Sequence, residues 1–395
     1  MNRTRTRPRM ASAVVAMVTI VTGGVLGSCD GGDAVTTTEA STTTQAAEST
    51  TSSTMSIVQT DSATTTTELQ PEGARVQQVQ IDAGDMALVG DLYLPAGAGP
   101  HPGVVLVHGS GPQNRNQEVI GQLNMAFGFT IPVFAEIAEG LQSAGYAVLT
   151  YDKRSCGTFN GCAGNDYPLP PDDLTIDRFV DDAAAALDAL AQRPDVDAAR
   201  LAVIGHSQGA GFVPELMVED GSVRAGVLLA GPHDPPDVLV AAQALSTRDL
   251  LETMGLSAEQ IDAAVTPLDD AAQQLASIRD GEPPDAPILG ASVKFWESWM
   301  TQADAAPAIA TGLDRALLVL GGELDTNVPP VQAELWRATL AASSNDHEVT
   351  VVACITHALN CLAESDLPAI TLDDIGEHVA PEVIATVVAF LDDRV

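Results

Sequence analysis

Residues 201–209 read Leu-Ala-Val-Ile-Gly-His-Ser-Gln-Gly, four apolar residues running straight into a Gly-x-Ser-x-Gly turn and then the helix-like stretch 210–218. A serine lifted above a sheet on a sharp strand-to-helix turn needs neighbours with almost no side chain, and Gly205 and Gly209 leave that room. Ser207 is therefore the candidate nucleophile. Its hydroxyl is a poor nucleophile until a base removes the proton, and an acid must hold that base in one tautomer. The sequence supplies both. After the apolar run 316–320 comes Gly321-Gly322-Glu323-Leu324-Asp325, which sets a carboxylate at the C-terminal end of a strand, where open α/β sheets gather ligands and catalytic groups. Asp325 is the expected acid, with Asp234 and Glu323 as rivals. Cys354-Ile355-Thr356-His357 follows the last apolar run and makes His357 the expected base. Of the other histidines, His347 precedes that strand, His378 starts the last helix, His206 lies inside the turn and His101 in a proline-rich turn.

Attack on a carbonyl turns its oxygen into an oxyanion, which preorganised backbone N–H groups must meet. One donor is expected from Gln208, next after the nucleophile. The other should come from the loop after the first parallel strand, Val107-His108-Gly109-Ser110-Gly111-Pro112. Ser110 is the first choice there, with Gly109 and Gly111 close behind, and His108 is read as a prop for the loop. Tyr151-Asp152-Lys153-Arg154 follows another strand at the same edge. Lys153, one of two lysines in the chain, and Arg154 are read as salt-bridged to a local acid such as Asp152 or Asp166.

These side chains meet only if the elements that carry them share one sheet. Residues 76–83 and 86–94, joined by Gly84-Asp85, predict an antiparallel hairpin. Continuous apolar runs at 103–107, 146–150, 201–204, 225–229, 316–320 and 349–353 predict strands covered on both faces. Helical spacing over 133–143, 176–190, 209–218, 331–341 and 381–391 predicts the helices that cover them. The fold class is α/β: a mostly parallel sheet with an N-terminal antiparallel hairpin and helices on both faces. The gap 232–314 is too long for a loop. Ser257 with Gln260 gives a capping-box pattern, and 239–254, 258–278 and 291–300 read as helices, so a helical cap inserted over the sheet is expected. Phe295, Trp296, Trp299 and Met300 either line an acyl pocket or pack the cap onto the body.

The 395-residue chain carries a formal charge of -35, which repels phosphate backbones and argues against nucleic acid as a partner. Arg3, Arg5, Arg7 and Arg9 precede an apolar run over 11–26, with no acid before Asp30, and predict an export signal over 1–28. It ends Leu26-Gly27-Ser28-Cys29, which resembles the lipobox of bacterial lipoproteins and makes Cys29 the expected lipid anchor to the membrane; plain secretion is the alternative. Residues 29–72, rich in Thr and Ser, read as a disordered tether, and 73–395 as the folded domain. The other four cysteines favour two local disulfides, Cys156 with Cys162 and Cys354 with Cys361. Their spacing is not that of a zinc ribbon, and no metal is expected.

The strings from His108 to Arg115, from Tyr151 to Arg154 and from Gly205 to Gly209, with Asp325 followed by Val328-Pro329-Pro330, resemble the α/β-hydrolase superfamily. Within it they are similar to bacterial esterase-like hydrolases related to the serine aminopeptidases and dienelactone hydrolases. The likeness covers most of 76–395, and the order Ser207, Asp325, His357 is the one that fold uses. It implies hydrolysis of a carboxylic ester through an acyl-enzyme, with no cofactor. Two departures bear on the substrate: Ser155-Cys156 stands where a glycine often follows Tyr-Asp-Lys-Arg, and cysteines bracket the histidine loop. The expected protein is a carboxylesterase whose partners are a small or medium acyl ester and, through Cys29, a membrane. An aminopeptidase or amidase of the same architecture would need acids such as Asp234, Asp237 and Glu252 to grip an amino group. A non-catalytic binding lipoprotein of the cell envelope is the reading from another class, and it has no need of Ser, Asp and His together.

Overall fold

The computed structural model describes residues 73–119, 130–156, 162, 174–362 and 375–395. The two alternating segments become β1 (Arg75–Asp82) and β2 (Ala87–Leu94), paired antiparallel from Arg75 opposite Leu94 to Asp82 opposite Ala87. The next strand, β3 (His101–Val107), is followed by a short ribbon of β4 (Glu118–Val119) and β5 (Ile131–Pro132). Then come β6 (Ala147–Tyr151), β7 (Val196–His206), β8 (Val223–Leu229), β9 (Ala316–Gly322) and β10 (His347–Val352). Eight strands form one sheet in the order β1-β2-β6-β3-β7-β8-β9-β10. β2 pairs antiparallel with β1 and β6, and every later pairing is parallel.

Among the described residues eight helices accompany the sheet: α1 (Val133–Ser143), α2 (Ile176–Ala191), α3 (Val213–Glu219), α4 (Pro236–Thr253), α5 (Ala258–Arg279), α6 (Val293–Gly312), α7 (Val331–Leu340) and α8 (Pro381–Asp392). The central strands are continuously apolar over 103–107, 201–204, 225–229 and 316–320 because successive side chains enter opposite cores. Val105 and Val203 share one core with Phe179 and Leu187 of α2, while Val104 and Ile204 share the other with Phe134 of α1 and Val387 of α8. Two local features departed from the pattern read in the sequence. The β4–β5 ribbon is two residues per strand, too short to leave a periodic signal. The helix expected over 209–218 opens as a 3-10 turn, Ser207–Phe212, and becomes α-helical only at α3, with Pro214 in its first turn.

Three helices, α4 to α6, fill the interval between β8 and β9. Ser257 caps α5 with the expected reciprocal bonds, its side chain accepting from Gln260 N while Gln260 Oε1 accepts from Ser257 N. These helices are tied to the site at two places. Gln302 Nε2 of α6 donates to Gly211 O in the turn after Ser207 (2.6 Å). Ser246 Oγ and Gln243 Nε2 of α4 donate to Thr326 O and Asn327 O (3.1 and 2.6 Å) in the loop that carries Asp325. The aromatic run packs: Trp296 and Trp299 stack with centroids 5.4 Å apart, and Phe295, Trp296, Trp299 and Met300 are all buried.

At the end of β6, Arg154 is buried against Asp182 of α2 in a two-pronged bond, Nε to Oδ2 at 2.6 Å and Nη2 to Oδ1 at 2.5 Å. Burial pushes the Asp182 carboxyl up, and the guanidinium pulls it back. Removing one partner strands the other charge, so Arg154→Met should lower stability by about 3–5 kcal/mol. Arg154→Met combined with Asp182→Leu should lose much less. Denaturant midpoints of the two variants check the difference.

Candidate active site

β7 delivers the sequence to the turn that sets Ser207. The serine has φ 54, in the left-handed region that costs a residue with a Cβ about 1–3 kcal/mol. The two glycines are what permit it. A Cβ on Gly205 would strike the Gly209 carbonyl and come within 2.5 Å of Ala210 Cα, and one on Gly209 would strike the carbonyls of Val107 and His108. The turn is therefore folded back on itself and pressed against the end of β3, with Ser207 91% enclosed by protein, its relative exposure being 9%.

The ends of β9 and β10 bring the other two groups. Leu324 N donates to Ile355 O (2.9 Å) and Glu323 N to Val352 O (3.0 Å), which laces the loop of Asp325 to the loop of His357. Asp325 is buried, and its Oδ1 accepts from the backbone N–H of Asn327 and Val328, both at 2.8 Å. That leaves Oδ2 for His357 Nδ1, at 2.9 Å, while His357 Nε2 lies 3.0 Å from Ser207 Oγ. Because a carboxylate only accepts, Nδ1 carries the proton and Nε2 is free to take one. His357 sits at the tip of a closed loop: Thr356 N donates to Asn360 O, Leu362 N donates to Cys354 O, and the sulfurs of Cys354 and Cys361 are at disulfide distance. Cys156 and Cys162 form the second pair.

A chain of hydrogen bonds joins three of the loops behind these groups. Gly109 N donates to Gln117 Oε1 (3.0 Å), Gln117 Nε2 to His206 Nδ1 (2.7 Å), and His206 Nε2 to the backbone carbonyl of His357 (2.9 Å). A carbonyl at Nε2 fixes the tautomer of His206. Burial, together with the nearby His357, drops His206 to about 3, and burial with the Lys153 charge does the same to His108. Both rings are neutral. His108 is the expected prop, donating from Nε2 to Asn114 O (3.1 Å) and packed between Phe134 and Tyr151.

The sequence-based reading of Lys153 is corrected. Asp152 pairs with Arg115, accepting from its backbone N at 2.9 Å and its Nε at 3.3 Å, and Asp166 lies outside the described residues. Lys153 is buried and carries no ion pair among the described residues. Its Nζ donates to Gly109 O (2.7 Å) and to Gln208 Oε1 (3.0 Å) and lies 4.2 Å from the centre of the Phe179 ring. Gly109 is corrected as well: its N–H is already used by Gln117, whereas no described residue takes the N–H of Ser110 or Gln208. Of the rival acids, Asp234 bonds Gln332 Nε2 (2.8 Å) and its neighbour His233, and Glu323 is exposed. Cys29 lies outside the described residues. Sequence reasoning passed over Gln117 and His206, since an amide and a turn histidine carry no spacing signal. For Lys153 a signal existed, the scarcity of lysine in an acidic chain.

This arrangement of strands and helices is the α/β-hydrolase fold. The model of the α/β hydrolase family matches residues 104–366, and the chain belongs to that family. Esterase EstD of Thermotoga maritima is 31% identical over 279 residues, 70% of this chain and 58% of that protein. Thiohydrolase apmlB of Arthrinium phaeospermum is 33% identical over 121 residues, 30% of this chain and 33% of that one. The chain thus spans less than two thirds of the length of these curated relatives. Among solved structures, the carboxylesterase EstE1, cloned from a metagenomic library, is 18% identical with a TM-score of 0.47, covering 82% of this chain and 90% of its own.

Two outcomes follow from the loops. Replacing Cys354 and Cys361 by serine should cost about 2 kcal/mol by freeing a short loop in the unfolded chain. It should also speed amide exchange over 354–361 selectively. Second, an unfolded histidine takes up its proton near 6.5, while His108 and His206 refuse it down to about 3. Their depressed values mean that stability is full above about 6.5 and lost as pH falls toward 3. Thermal midpoints measured from pH 7.5 to 4 should fall, and more shallowly in His206→Gln.

Proposed function

We propose that this protein is a serine carboxylic ester hydrolase acting on small or medium acyl esters through an acyl-enzyme. The observation that carries the reading is the unbroken line from Ser207 Oγ to His357 Nε2 (3.0 Å) and from Nδ1 to Asp325 Oδ2 (2.9 Å). In this mechanism Ser207 Oγ attacks the ester carbonyl and its proton passes to His357 Nε2. Asp325 orients the ring and steadies the imidazolium that forms. The carbonyl electrons move to the oxyanion, held by the N–H groups of Ser110 and Gln208. Collapse expels the alkoxide, which takes the proton from Nε2. Water then repeats the cycle on the acyl-enzyme, releasing the acid and restoring Ser207.

The esterase name of the Thermotoga maritima relative supports the same reaction class. The acids an aminopeptidase would need are engaged or remote: Asp234 is bonded to Gln332, Asp237 is clamped by Arg279, and Glu252 is on the surface. A binding lipoprotein would not require the Asp325–His357–Ser207 line. The helices α4 to α6 are proposed to be the cap, anchored to the acid loop and the serine turn. Lipid attachment at Cys29, which would keep the protein at a membrane outside the cytoplasm, is proposed on the residue pattern of 1–29.

A panel of nitrophenyl esters beside aminoacyl amides, run on the full chain, tests the reading. Ester turnover should fall about 10⁴-fold or more in Ser207→Ala and about 10⁴-fold in Asp325→Asn. An active-site phosphonate should label Ser207. Amide preference would move the protein to the peptidase class, and silence on both panels without labelling would leave the binding role.

A further inference from the structure

Among the polar groups the mechanism leaves unused, Lys153 is the most enclosed cation in contact with the site. Its two acceptors are specific. Gly109 O belongs to the same peptide unit as the N–H of Ser110, and in a trans peptide the two point in opposite directions. An ammonium pulling on that carbonyl therefore aims the Ser110 N–H away from itself. It also withdraws charge from the amide, which makes the N–H a stronger donor. Gly109 in turn lies against the nucleophile, since a Cβ placed on it would come 3.1 Å from Ser207 Cβ. The second acceptor is the side chain of Gln208, whose backbone N–H is the other proposed donor. Only Oε1 can accept from an ammonium, so Lys153 also fixes which way that buried amide faces.

We propose that Lys153 is the positioning residue of the oxyanion hole, holding the Gly109–Ser110 peptide and Gln208 from behind and adding a buried positive charge beside the developing oxyanion. This rests on the serine-hydrolase reading of Ser207. It goes beyond that reading because it assigns to Tyr151-Asp152-Lys153-Arg154 a part in the reaction, through the one residue of the string that touches both donor segments. Tyr151 packs on His108, Asp152 holds Arg115, and Arg154 holds Asp182.

The geometry has a titration consequence. The crevice around Nζ, lined by Val107, His108, Tyr151, Phe179, Asp182 and Phe212, is too narrow for water. Burial drops the ammonium to about 7, with Asp182 opposing the shift. The titratable groups that face it from the neighbouring elements are His108 after β3, Tyr151 on β6, Asp182 on α2 and, beyond Gln208, His206. His108 and His206 are neutral down to about 3, the Tyr151 phenol is pushed up by burial, and Asp182 is bonded to Arg154. The charge at Lys153 is therefore the one that changes around neutral pH on this side of the site. Raising the pH through about 7 removes it.

The test measures kcat and KM for a nitrophenyl ester from pH 6 to 9 on the full chain, with Ser207→Ala, Lys153→Met and Lys153→Arg. Because the oxyanion exists only after attack, Lys153→Met should lower kcat about 10- to 100-fold at pH 6 with KM nearly unchanged. Wild type should lose kcat as pH rises through about 7, and Lys153→Arg, which keeps its charge, should not. Wild-type kcat in folded Lys153→Met, or a change confined to KM, overturns the assignment. If Lys153→Met fails to fold, the decision passes to the profiles: a flat wild-type profile, or an alkaline fall that persists in Lys153→Arg, overturns it. Residual turnover by Ser207→Ala would instead remove the reading on which it rests, so the two failures are separable.

Discussion

The site depends on one steric fact, the absence of two side chains. Gly209 brings its backbone against the carbonyls of Val107 and His108, and Gly205 lets the chain fold onto Gly209 and Ala210. That contact makes two strand ends, β3 and β7, behave as a single surface. Ser207 can hold φ 54 only because the neighbouring backbone is too close to let the turn relax. The same closeness puts the loop after β3 next to the hydroxyl, so the proposed nucleophile and the proposed oxyanion donors are fixed by one packing event. Polar bonds then refine what the glycines permit.

Those bonds solve an electrostatic problem as well as a geometric one. The rings of His206 and His357 lie 4.9 Å apart, and in a buried site two imidazolium charges would repel. His206 is kept neutral by burial and by the neighbouring His357 ring, against the opposing pull of the His357 carbonyl on its Nε2 proton, so it adds no charge beside His357 and Asp325. His206 thus acts on the loop of His357 through a backbone carbonyl while staying out of its charge chemistry. Asp325, with one oxygen committed to two backbone N–H groups, has little freedom to turn its other oxygen away from the ring.

Much of this was legible in the sequence, for identifiable reasons. Continuous apolar runs gave the central strands because both faces are covered, and helical spacing placed α1 from Val133 to Ser143 at its observed ends. Ser207, Asp325 and His357 could be chosen because each follows a strand and strand ends share an edge. What the residues could not disclose were the partners chosen by distance in space. Lys153 was assigned to nearby acids because a charged neighbour in sequence is the obvious partner. The fold instead presents Asp152 to Arg115 and turns Lys153 inward onto a carbonyl and an amide. Gly109 and Ser110 were indistinguishable as donors until Gln117, eight residues beyond Gly109, took the N–H of the first.

The acidity of the whole chain sharpens the place of that lysine. A formal charge of -35 sets up a negative surface potential, which opposes the appearance of another anion in the site. Surface carboxylates act through water and are screened within about 10 Å at ordinary ionic strength, so their opposition is spread and weak. A single ammonium under the oxyanion loop acts through protein, where the effective dielectric is lower and the interaction correspondingly larger. On the proposed mechanism the protein can then remain highly acidic on the outside without weakening stabilisation of the oxyanion, provided the buried position carries its proton. Arg154 does not substitute for it, because its guanidinium is committed to Asp182. Among the described residues no carboxylate forms an ion pair with Lys153, and Asp182, which faces the same crevice, is held by Arg154.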